Sequence, residues 1–312
     1  MDFISTILIQ LRLSSNQNND RHRHFYIHYM DMPRQPATDP KNQTGAQSIE
    51  RAIDVIRRVA EAGVNGVRLT DLVNATGLKQ PTVSRLIGAL MREGLIEQDG
   101  SNRRFYLGVE AFALGAIASA RFGIHKLALD ALLQLAATTE DSAFLSIPRD
   151  TVSICLHREE GAFPIRTQVL KAGDRYPLGV GAGSLAILAA MPDADVERVI
   201  AKNAGWVAEA FPTHSPDRLR QLVAETRRTG FAVNSGLIMA GSWGIGVAVI
   251  GDDDRPVGAL SVAAIEQRMG EARRREIAQL LQAAAADVAA RLRELNSVGN
   301  TRARRSAQNG RQ

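Results

Sequence analysis

The sequence predicts an α+β protein with two domains joined by a helix, and three observations lead to this fold class. Residues 48–107 carry three helical segments followed by a short hairpin. Residues 108–123 carry a linker helix that is apolar nearly all round, and residues 124–296 alternate helices with short strands. The flanking segments 1–47 and 297–312 lack sustained periodicity, so we expect a disordered arm and a disordered basic tail.

The first domain begins with an amphipathic helix, in which Ile49, Ile53 and Ile56 recur at spacings of three or four positions. The following segment, "TDLVNATGLKQPTVSRLIGALMREG", predicts two more helices separated by a tight turn at Gly77. Pro81 falls in the first turn of the last helix, where proline is tolerated. Strand-like runs then flank the turn sequence "DGSN", which predicts a hairpin.

Helix, tight turn, helix and hairpin form the winged helix-turn-helix arrangement, whose second helix enters the DNA major groove. Short polar and cationic side chains on that helix suit phosphates and base edges. The predicted DNA contacts are Lys79, Gln80, Thr82, Ser84 and Arg85 on this helix, the third of the domain, with Arg103 and Arg104 on the hairpin. The alternative is a three-helix core whose polar face contacts only solvent. It stays open because a formal net charge of +5 permits a nucleic-acid partner without proving one.

In the second domain the elements follow one another closely. The strand-like runs are 143–147, 152–157, 165–170, 231–235, 245–250 and 257–264, and the helical runs are 126–139, 183–191, 192–204, 216–229 and 270–295. The turn sequence "GDDDRP" separates the last two strands. The apolar linker helix lacks enough of its own chain to cover it, so we expect a homodimer or homotetramer that reads a pseudo-palindromic operator.

Ordered motifs across the chain resemble the IclR-type transcriptional regulators. In the first domain these are "SIERAIDVIRRVAEAG", "ATGL", "TVSRLIGAL", "EGLIE" and "RRFYLG". Downstream, "LGVGAGSLAILAAMP", "TGFAVNSGLIMAGSWGIGVAV" and "RPVGALSVAAIEQRM" continue the match, which covers about residues 48–295. The resemblance implies a C-terminal effector-binding domain with a GAF-like fold, double-stranded DNA as a partner and a small-molecule effector.

An anion site is predicted where the glycine-rich turn "GVGAG" meets a helix. The first amides of a helix lack intrahelical partners, so Gly181, Ala182 and Gly183 present free N–H groups that suit a carboxylate. The segment is not a Walker loop, since no Gly-Lys-Ser/Thr follows, and Ser184 stands where the third glycine of a dinucleotide fingerprint belongs. The alternative is a close-packed strand-to-helix turn without a ligand.

The resemblance also implies pocket positions farther along the chain. Asn234 falls where an acidic residue is usual and Gly244 where a cysteine is frequent, while Ser261 and Ala263 occupy two serine positions. Losing an acid, a thiol and a hydroxyl makes the pocket larger and less polar, so we expect an organic acid with a bulky, partly apolar body. The predicted effector-binding residues are Gly181, Ala182, Gly183, Asn234, Gly244, Ser261 and Ala263, and Trp243 and Phe231 either line the pocket or belong to the core.

Composition excludes several other classes. No uncharged apolar run of about 18 residues occurs, which argues against a membrane span. A single cysteine, Cys155, cannot form an internal disulfide or a Cys-rich zinc site, so we expect a soluble, cytoplasmic protein without a cofactor. The histidines His22, His24 and His28 sit in the arm without a scaffold of other ligands, so we predict no metal site there.

Catalysis is the weakest of the function classes. Cys155 and His157 are two apart on a predicted strand, which places them on one face as a candidate nucleophile and base of a hydrolase. No Gly-x-Ser-x-Gly motif surrounds Ser184, so we predict no catalytic residue. The remaining alternative is a DNA-binding and assembly protein that responds to no ligand.

Met30 and Met32, near the end of the predicted arm, are alternatives to Met1 as the first residue of the translated protein.

Overall fold

The computed structural model describes residues 25–27, 46–119, 123–167 and 170–309. After a short strand, β1 (Phe25–Ile27), the first domain consists of the helices α1, α2 and α3 and the hairpin strands β2 and β3. Their bounds are Gln47–Ala62, Leu69–Thr76, Gln80–Arg92, Ile96–Gln98 and Phe105–Leu107. The predicted helix-turn-helix and hairpin are therefore present in the predicted order.

The turn between α2 and α3 depends on Gly77, whose left-handed backbone (φ 66°) ends α2 and would strain any other residue. The apolar faces of the helices meet the hairpin in one core. Its fully or almost fully buried members are Val55, Val59, Leu72, Val83, Ile87, Leu90, Ile96 and Phe105. This packing fixes α3 relative to α2 and leaves the opposite side of α3 in solvent.

The linker helix, α4 (Val109–Ser119), carries apolar side chains that the other described residues leave exposed. Val109 is 73% exposed, Phe112 77%, Leu114 51% and Ile117 74%. Such a cluster of exposed large apolar side chains is unusual for a protein surface that stays in water. The predicted linker continues through residues 120–122, which lie outside the described residues.

The second domain contains the helices α5 to α9 and a six-stranded sheet. The helices span Ile124–Thr139, Ala182–Ala189, Asp193–Ala210, Pro216–Thr229 and Glu271–Asn309. The strands β4 to β10 span Ser142–Arg149, Val152–Glu159, Ile165–Thr167, Arg175–Pro177, Ala232–Ser235, Ser242–Ile250 and Pro256–Ile265. The sheet order is β7-β5-β4-β10-β9-β8, and every neighbouring pair is antiparallel.

Helices cover both faces of this sheet, as the α+β, GAF-like prediction requires. On one face α5 and α9 pack against Leu145, Ile245 and Leu260. On the other face the apolar helix α6 packs with α8 around Leu188 and Leu219. Each face is buried under its own helical layer, so the first turn of α6 lies directly against the strands.

Two short strands and the end of one helix differ from the sequence prediction. The predicted arm includes β1, which pairs in parallel with β6, and the other residues before Ala46 lie outside the described residues. The short strand β7 was not predicted, because three residues show no periodicity of their own. Helix α9 continues to Asn309, so the predicted disordered tail from 297 is wrong as far as that residue. Arg, Ala and Gln propagate a helix well, and no proline interrupts this segment.

Among the described residues, no single helix has the length and apolar composition that a membrane span requires. The pair Val109–Ser119 and Ile124–Thr139 meets the length and composition criteria only when its two helices are taken together, and they are bent by 96°.

Candidate functional site

The solvent face of α3 carries the predicted DNA contacts. Its buried face consists of Val83, Ile87 and Leu90. Four of the predicted side chains are exposed and Thr82 is half-buried; the exposed ones are Lys79, Gln80, Ser84 and Arg85. The structure thus places two cations and three short polar groups on or beside the surface of one helix.

At the hairpin tip the two predicted arginines have different surroundings. Asp99 shapes the turn, because its carboxylate accepts hydrogen bonds from the amides of Ser101 (2.7 Å) and Asn102 (3.2 Å). Arg103 is exposed and adopts a left-handed backbone (φ 60°). Arg104 Nη1 instead donates to the carbonyls of Gly66 (2.9 Å) and Asn65 (3.3 Å), so this side chain also ties the hairpin to the loop before α2. Both arginines stay predicted DNA contacts.

The second candidate site is a cavity at the N-terminus of α6. Gly179 and Gly181 adopt positive φ angles (101° and 88°) in the turn that leads into the helix. On β9, a Cβ atom at Gly246 would lie 2.4 Å from the Ala182 carbonyl oxygen. A Cβ at Gly244 would lie 3.1 Å from the Ala182 methyl group. Glycine at these positions lets the first turn of α6 approach the sheet backbone.

All seven predicted effector-binding residues line this cavity. They are Gly181, Ala182, Gly183, Asn234, Gly244, Ser261 and Ala263. The cavity has a volume of about 60 Å³. Trp243 borders the cavity through its place on β9, but its indole packs in the core under α5 and α9, as Phe231 does, with the Arg274 guanidinium 5.1 Å from the ring centroid. The structure therefore brings residues from α6, β8, β9 and β10 together around one space.

Sequence reasoning missed the part of the cavity on β4 and β5. Phe144, Ser146, Ser153 and Cys155 line it there, and Ile238 reaches it from the loop after β8. The alternation of small polar residues along "SAFLSIP" and "VSICLH" was the available signal. It did not reveal which face is the cavity face, because the pairing of β4 with β5 contains a register shift.

This register shift also corrects the prediction that Cys155 and His157 share a face. Cys155 pairs with Ser146 and His157 pairs with Leu145, and consecutive residues of a strand point to opposite faces. The thiol lines the cavity, and the imidazole instead lies 3.3 Å from Glu159 Oε2. Burial, with the charge of Asp174, raises the pKa of the Cys155 thiol to about 12. The predicted nucleophile-and-base pair is therefore not formed.

The cavity offers hydrogen-bonding groups without charges. Its lining residues, all in the described part of the chain, include no Lys, Arg, Asp or Glu. Asn234 Oδ1 accepts a hydrogen bond from the Leu237 amide (3.3 Å), which leaves its NH₂ group to face a ligand. Among the described residues, no group of three or more His, Cys, Asp or Glu could hold a metal ion. His22, His24 and His28 lie outside the described residues.

A buried histidine anchors the loop that carries Ile238 over the cavity. His214 is 1% exposed, and its Nδ1 lies 3.0 Å from Thr213 Oγ1, which donates to the Leu237 carbonyl (2.8 Å). Burial, followed by the charge of Arg218, lowers the pKa of His214 to about 4. The folded protein thus holds this imidazole neutral.

We expect the stability of the protein to fall as the pH drops from about 6.5, where histidine protonates in an unfolded chain, to about 4. In that range the unfolded chain binds a proton that the folded chain does not. The free energy of the unfolded chain therefore falls relative to that of the folded chain. A His214→Gln variant is expected to lose up to about 3 kcal/mol of this pH dependence. Denaturant unfolding at several pH values measures it, and equal slopes in both proteins would contradict the assignment.

Comparisons with known proteins agree with this arrangement. The family model described as the C-terminal domain of the bacterial transcriptional regulator IclR matches residues 117–290, and the IclR helix-turn-helix model matches residues 48–100. The probable HTH-type transcriptional regulator ArcR of Halobacterium salinarum is 27% identical over 227 residues, 72% of this chain and 85% of the relative. The transcriptional repressor IclR of Escherichia coli is 24% identical over 265 residues, 82% and 93% of the two chains.

Solved structures share the fold. An IclR-type transcriptional regulator from Alicyclobacillus acidocaldarius superposes with a TM-score of 0.65 at 23% identity, over 78% of this chain and 98% of that one. An IclR homologue from Microbacterium hydrocarbonoxydans, solved in complex with 4-hydroxybenzoate, gives a TM-score of 0.63 at 21% identity, over 78% and 99%.

A winged helix-turn-helix domain joined by a helix to a domain with an internal cavity defines a class of protein, the one-chain transcriptional regulator with a DNA-binding and an effector domain. Within that class, the chain belongs to the IclR family.

Proposed function

We propose that this regulator binds a pseudo-palindromic operator through α3 and the β2–β3 hairpin and responds to a small organic acid held in the cavity of the second domain. The observation that carries the proposal is the cavity at the N-terminus of α6, where Gly181, Ala182 and Gly183 line a space without charged side chains. On this proposal the regulator acts in the cytoplasm, without catalysis and without a cofactor.

The effector is an acid with an apolar body. A helix N-terminus favours a carboxylate because its free amides and the helix dipole attract negative charge. Beside it, Gly244 and Ala263 contribute neither bulk nor a hydroxyl, while Ile238 adds apolar surface. An aromatic or alicyclic body gains burial at about 25 cal/mol per Å², which a two-carbon acid cannot match. The 4-hydroxybenzoate complex of the Microbacterium homologue is in keeping with such a ligand.

A thermal-shift screen against organic acids tests the ligand part of this proposal. A ligand that binds only the folded state raises the unfolding temperature as the logarithm of its concentration. Aromatic and alicyclic monocarboxylates are expected to stabilise the protein and to change its affinity for operator DNA. If no metabolite changes either quantity, the protein is a DNA-binding and assembly protein without an effector.

We also propose that the chain forms a homodimer or homotetramer through α4, and Phe112→Glu tests this. Phe112 is 77% exposed in the single chain, so a partner's α4 that covers it would be repelled by a carboxylate. The variant is expected to sediment as a monomer and to bind operator DNA at least about tenfold more weakly, because only a dimer engages both half-sites. Glu110→Gln on the same helix is the control and should remain a dimer.

A symmetric footprint with two half-sites is expected for the unmodified protein. A monomer in solution that protects one asymmetric half-site would contradict the role assigned to α4.

A further inference from the structure

The hairpin of the first domain is bonded to the loop before α2. Val67, in that loop, forms a β-bridge with Phe105 on β3, in which the two amides donate to the opposite carbonyls at 3.0 Å and 2.8 Å. Arg104, one residue earlier on the hairpin, donates from Nη1 to the carbonyls of Gly66 (2.9 Å) and Asn65 (3.3 Å). Adjacent residues of the hairpin are therefore bonded to adjacent residues of the loop.

Tyr106 and Asn102 complete this contact. The Tyr106 ring packs against the buried backbone of Gly66, where a Cβ atom would lie 2.4 Å from Tyr106 Cζ. Asn102, in the hairpin turn, donates from Nδ2 to the Tyr106 hydroxyl (3.0 Å) and accepts from the Arg104 amide at Oδ1 (2.8 Å). We call these four residues the hairpin clamp: Gly66, Asn102, Arg104 and Tyr106.

The turn of the hairpin holds Arg103 in one conformation. Its backbone is left-handed (φ 60°), which is uncommon for a residue other than glycine. Its amide donates to the Asp99 carbonyl (2.9 Å), and its carbonyl accepts from Gln98 Nε2 (3.0 Å). A residue stays in such a conformation only where the surrounding structure fixes it. Because the Arg103 side chain is exposed, the turn presents this cation to solvent at the end of the hairpin.

The two neighbouring arginines therefore have different surroundings. Arg103 is exposed, whereas Arg104 is half-buried and bonded to two carbonyls. If Arg104 moved to a DNA phosphate, the carbonyl of the buried Gly66 would lose this donor, and a buried acceptor without a donor costs free energy. This cost favours Arg104 staying on the loop when the hairpin meets DNA.

The loop connects the position of the hairpin to that of the helix proposed to read DNA. Arg68, directly after Val67, is the N-cap of α2, and α2 packs on α3 in the core that the hairpin strands share. The strands β2 and β3 have three residues each, and a two-stranded hairpin is marginally stable by itself. The clamp therefore holds the hairpin tip in a fixed relation to α3. A surface ordered in advance loses less conformational entropy on binding than a mobile one.

We propose that Arg104 and Tyr106 are positioning residues for operator binding, and that Arg103 is the hairpin residue that contacts the duplex. The clamp holds the hairpin so that Arg103 meets the DNA backbone while α3 lies in the major groove. Arg104 thus contributes to affinity through Arg103 and not through a phosphate of its own. This inference rests on the proposed DNA-binding function of α3 and the hairpin.

A double-mutant cycle with the full-length protein tests the inference. The probe is a labelled duplex that the unmodified protein selects from random-sequence DNA, titrated at several salt concentrations. Arg103→Ala is expected to weaken binding about fivefold to tenfold and to reduce the salt slope by about one. Arg104→Ala alone is expected to weaken binding about threefold to tenfold, because the loosened hairpin must then be ordered on binding.

The effects of the two substitutions are expected not to add. In the Arg103→Ala background, Arg104→Ala should weaken binding by less than about twofold and cause no further loss of salt slope, because the contact that Arg104 positions is already absent. A second phosphate contact would instead multiply the two losses and reduce the slope by about two. A role of Arg104 in folding alone would lower the unfolding midpoint without any dependence on Arg103.

Tyr106→Phe covers the case in which Arg104→Ala disturbs the domain, because it removes only the hydroxyl that Asn102 bonds and changes no charge. It is expected to weaken binding about twofold to fivefold in the unmodified protein and not in the Arg103→Ala background. Unfolding midpoints show whether each variant is folded.

Arg58→Ala is the matched control for the charge. Arg58 is half-buried, as Arg104 is, but it pairs with Asp54 on α1 (3.3 Å). Its removal should leave the affinity unchanged in both backgrounds.

Two results overturn the inference. If Arg103→Ala and Arg104→Ala reduce affinity and salt slope additively, Arg104 contacts DNA directly. If Arg104→Ala and Tyr106→Phe each leave the affinity of the otherwise unmodified protein unchanged, the clamp does not position the hairpin for binding. If the unmodified protein selects no duplex, the proposed DNA-binding function fails together with the clamp, which distinguishes that failure from the other two.

Discussion

Arg85→Ala combined with Arg103→Ala is expected to weaken operator binding by at least about tenfold and to reduce the salt slope of the binding constant by about two. Each exposed arginine that contacts a phosphate releases about one counterion, and these two side chains lie on α3 and at the hairpin tip. Titration of labelled operator DNA at several salt concentrations measures both quantities.

The control for this double variant is Arg58→Ala. Arg58 carries the same charge in the same domain, but it pairs with Asp54 on α1 (3.3 Å) and lies on neither proposed contact element. Its removal should leave the salt slope almost unchanged. If the double variant keeps both the affinity and the slope of the unmodified protein, α3 and the hairpin do not dock on DNA as proposed.

Ala182→Phe is expected to lower effector affinity at least a hundredfold while operator binding persists. Ala182 is 8% exposed, and its methyl group already fills the space above Gly244, so a phenyl ring must enter the cavity where the carboxylate binds. Calorimetry with benzoate and phenylpropanoate measures the loss. Ala201→Phe, at an exposed position of α7, is the control and should bind the effector normally.

Ser261→Ala removes one hydroxyl without adding bulk and covers the case in which Ala182→Phe disturbs the fold. It is expected to weaken acid binding by about threefold to tenfold, as the loss of one hydrogen bond does. Tight binding of glyoxylate or pyruvate, with no heat from aromatic or alicyclic acids, would contradict the enlarged, less polar pocket.

Local signals made most of the fold predictable. The turn at Gly77 and the glycines before α6 require backbone angles that few other residues adopt, so they mark helix boundaries in the sequence itself. Gly181, Ala182 and Gly183 were predicted from such a turn. The other four cavity residues were predicted from the ordered motifs that resemble those of IclR-type regulators. Periodicity located the helices, because it reflects which face each helix buries.

The missed features depend on contacts between distant segments. The register shift between β4 and β5 turns Cys155 towards the cavity and His157 away from it, and only the pairing of the two strands fixes that. Arg104 meets carbonyls 38 and 39 residues earlier in the chain, which no local pattern indicates. The part of the cavity on β4 and β5 was missed for the same reason, since Ser146 and Ser153 look like ordinary strand residues until the sheet is assembled.

The position of Trp243 makes the protein its own fluorescent sensor. The chain holds two tryptophans, both in the second domain. The Trp243 indole packs against the core under α5 and α9, next along β9 to the cavity residue Gly244, whereas Trp206 packs on Phe211 with ring centroids 6.3 Å apart. A Trp206→Phe chain would emit from a single indole directly behind the cavity wall, with none in the DNA-binding domain. Effector titrations with and without operator DNA then give the coupling free energy between the two sites, which must be the same whichever ligand is added first.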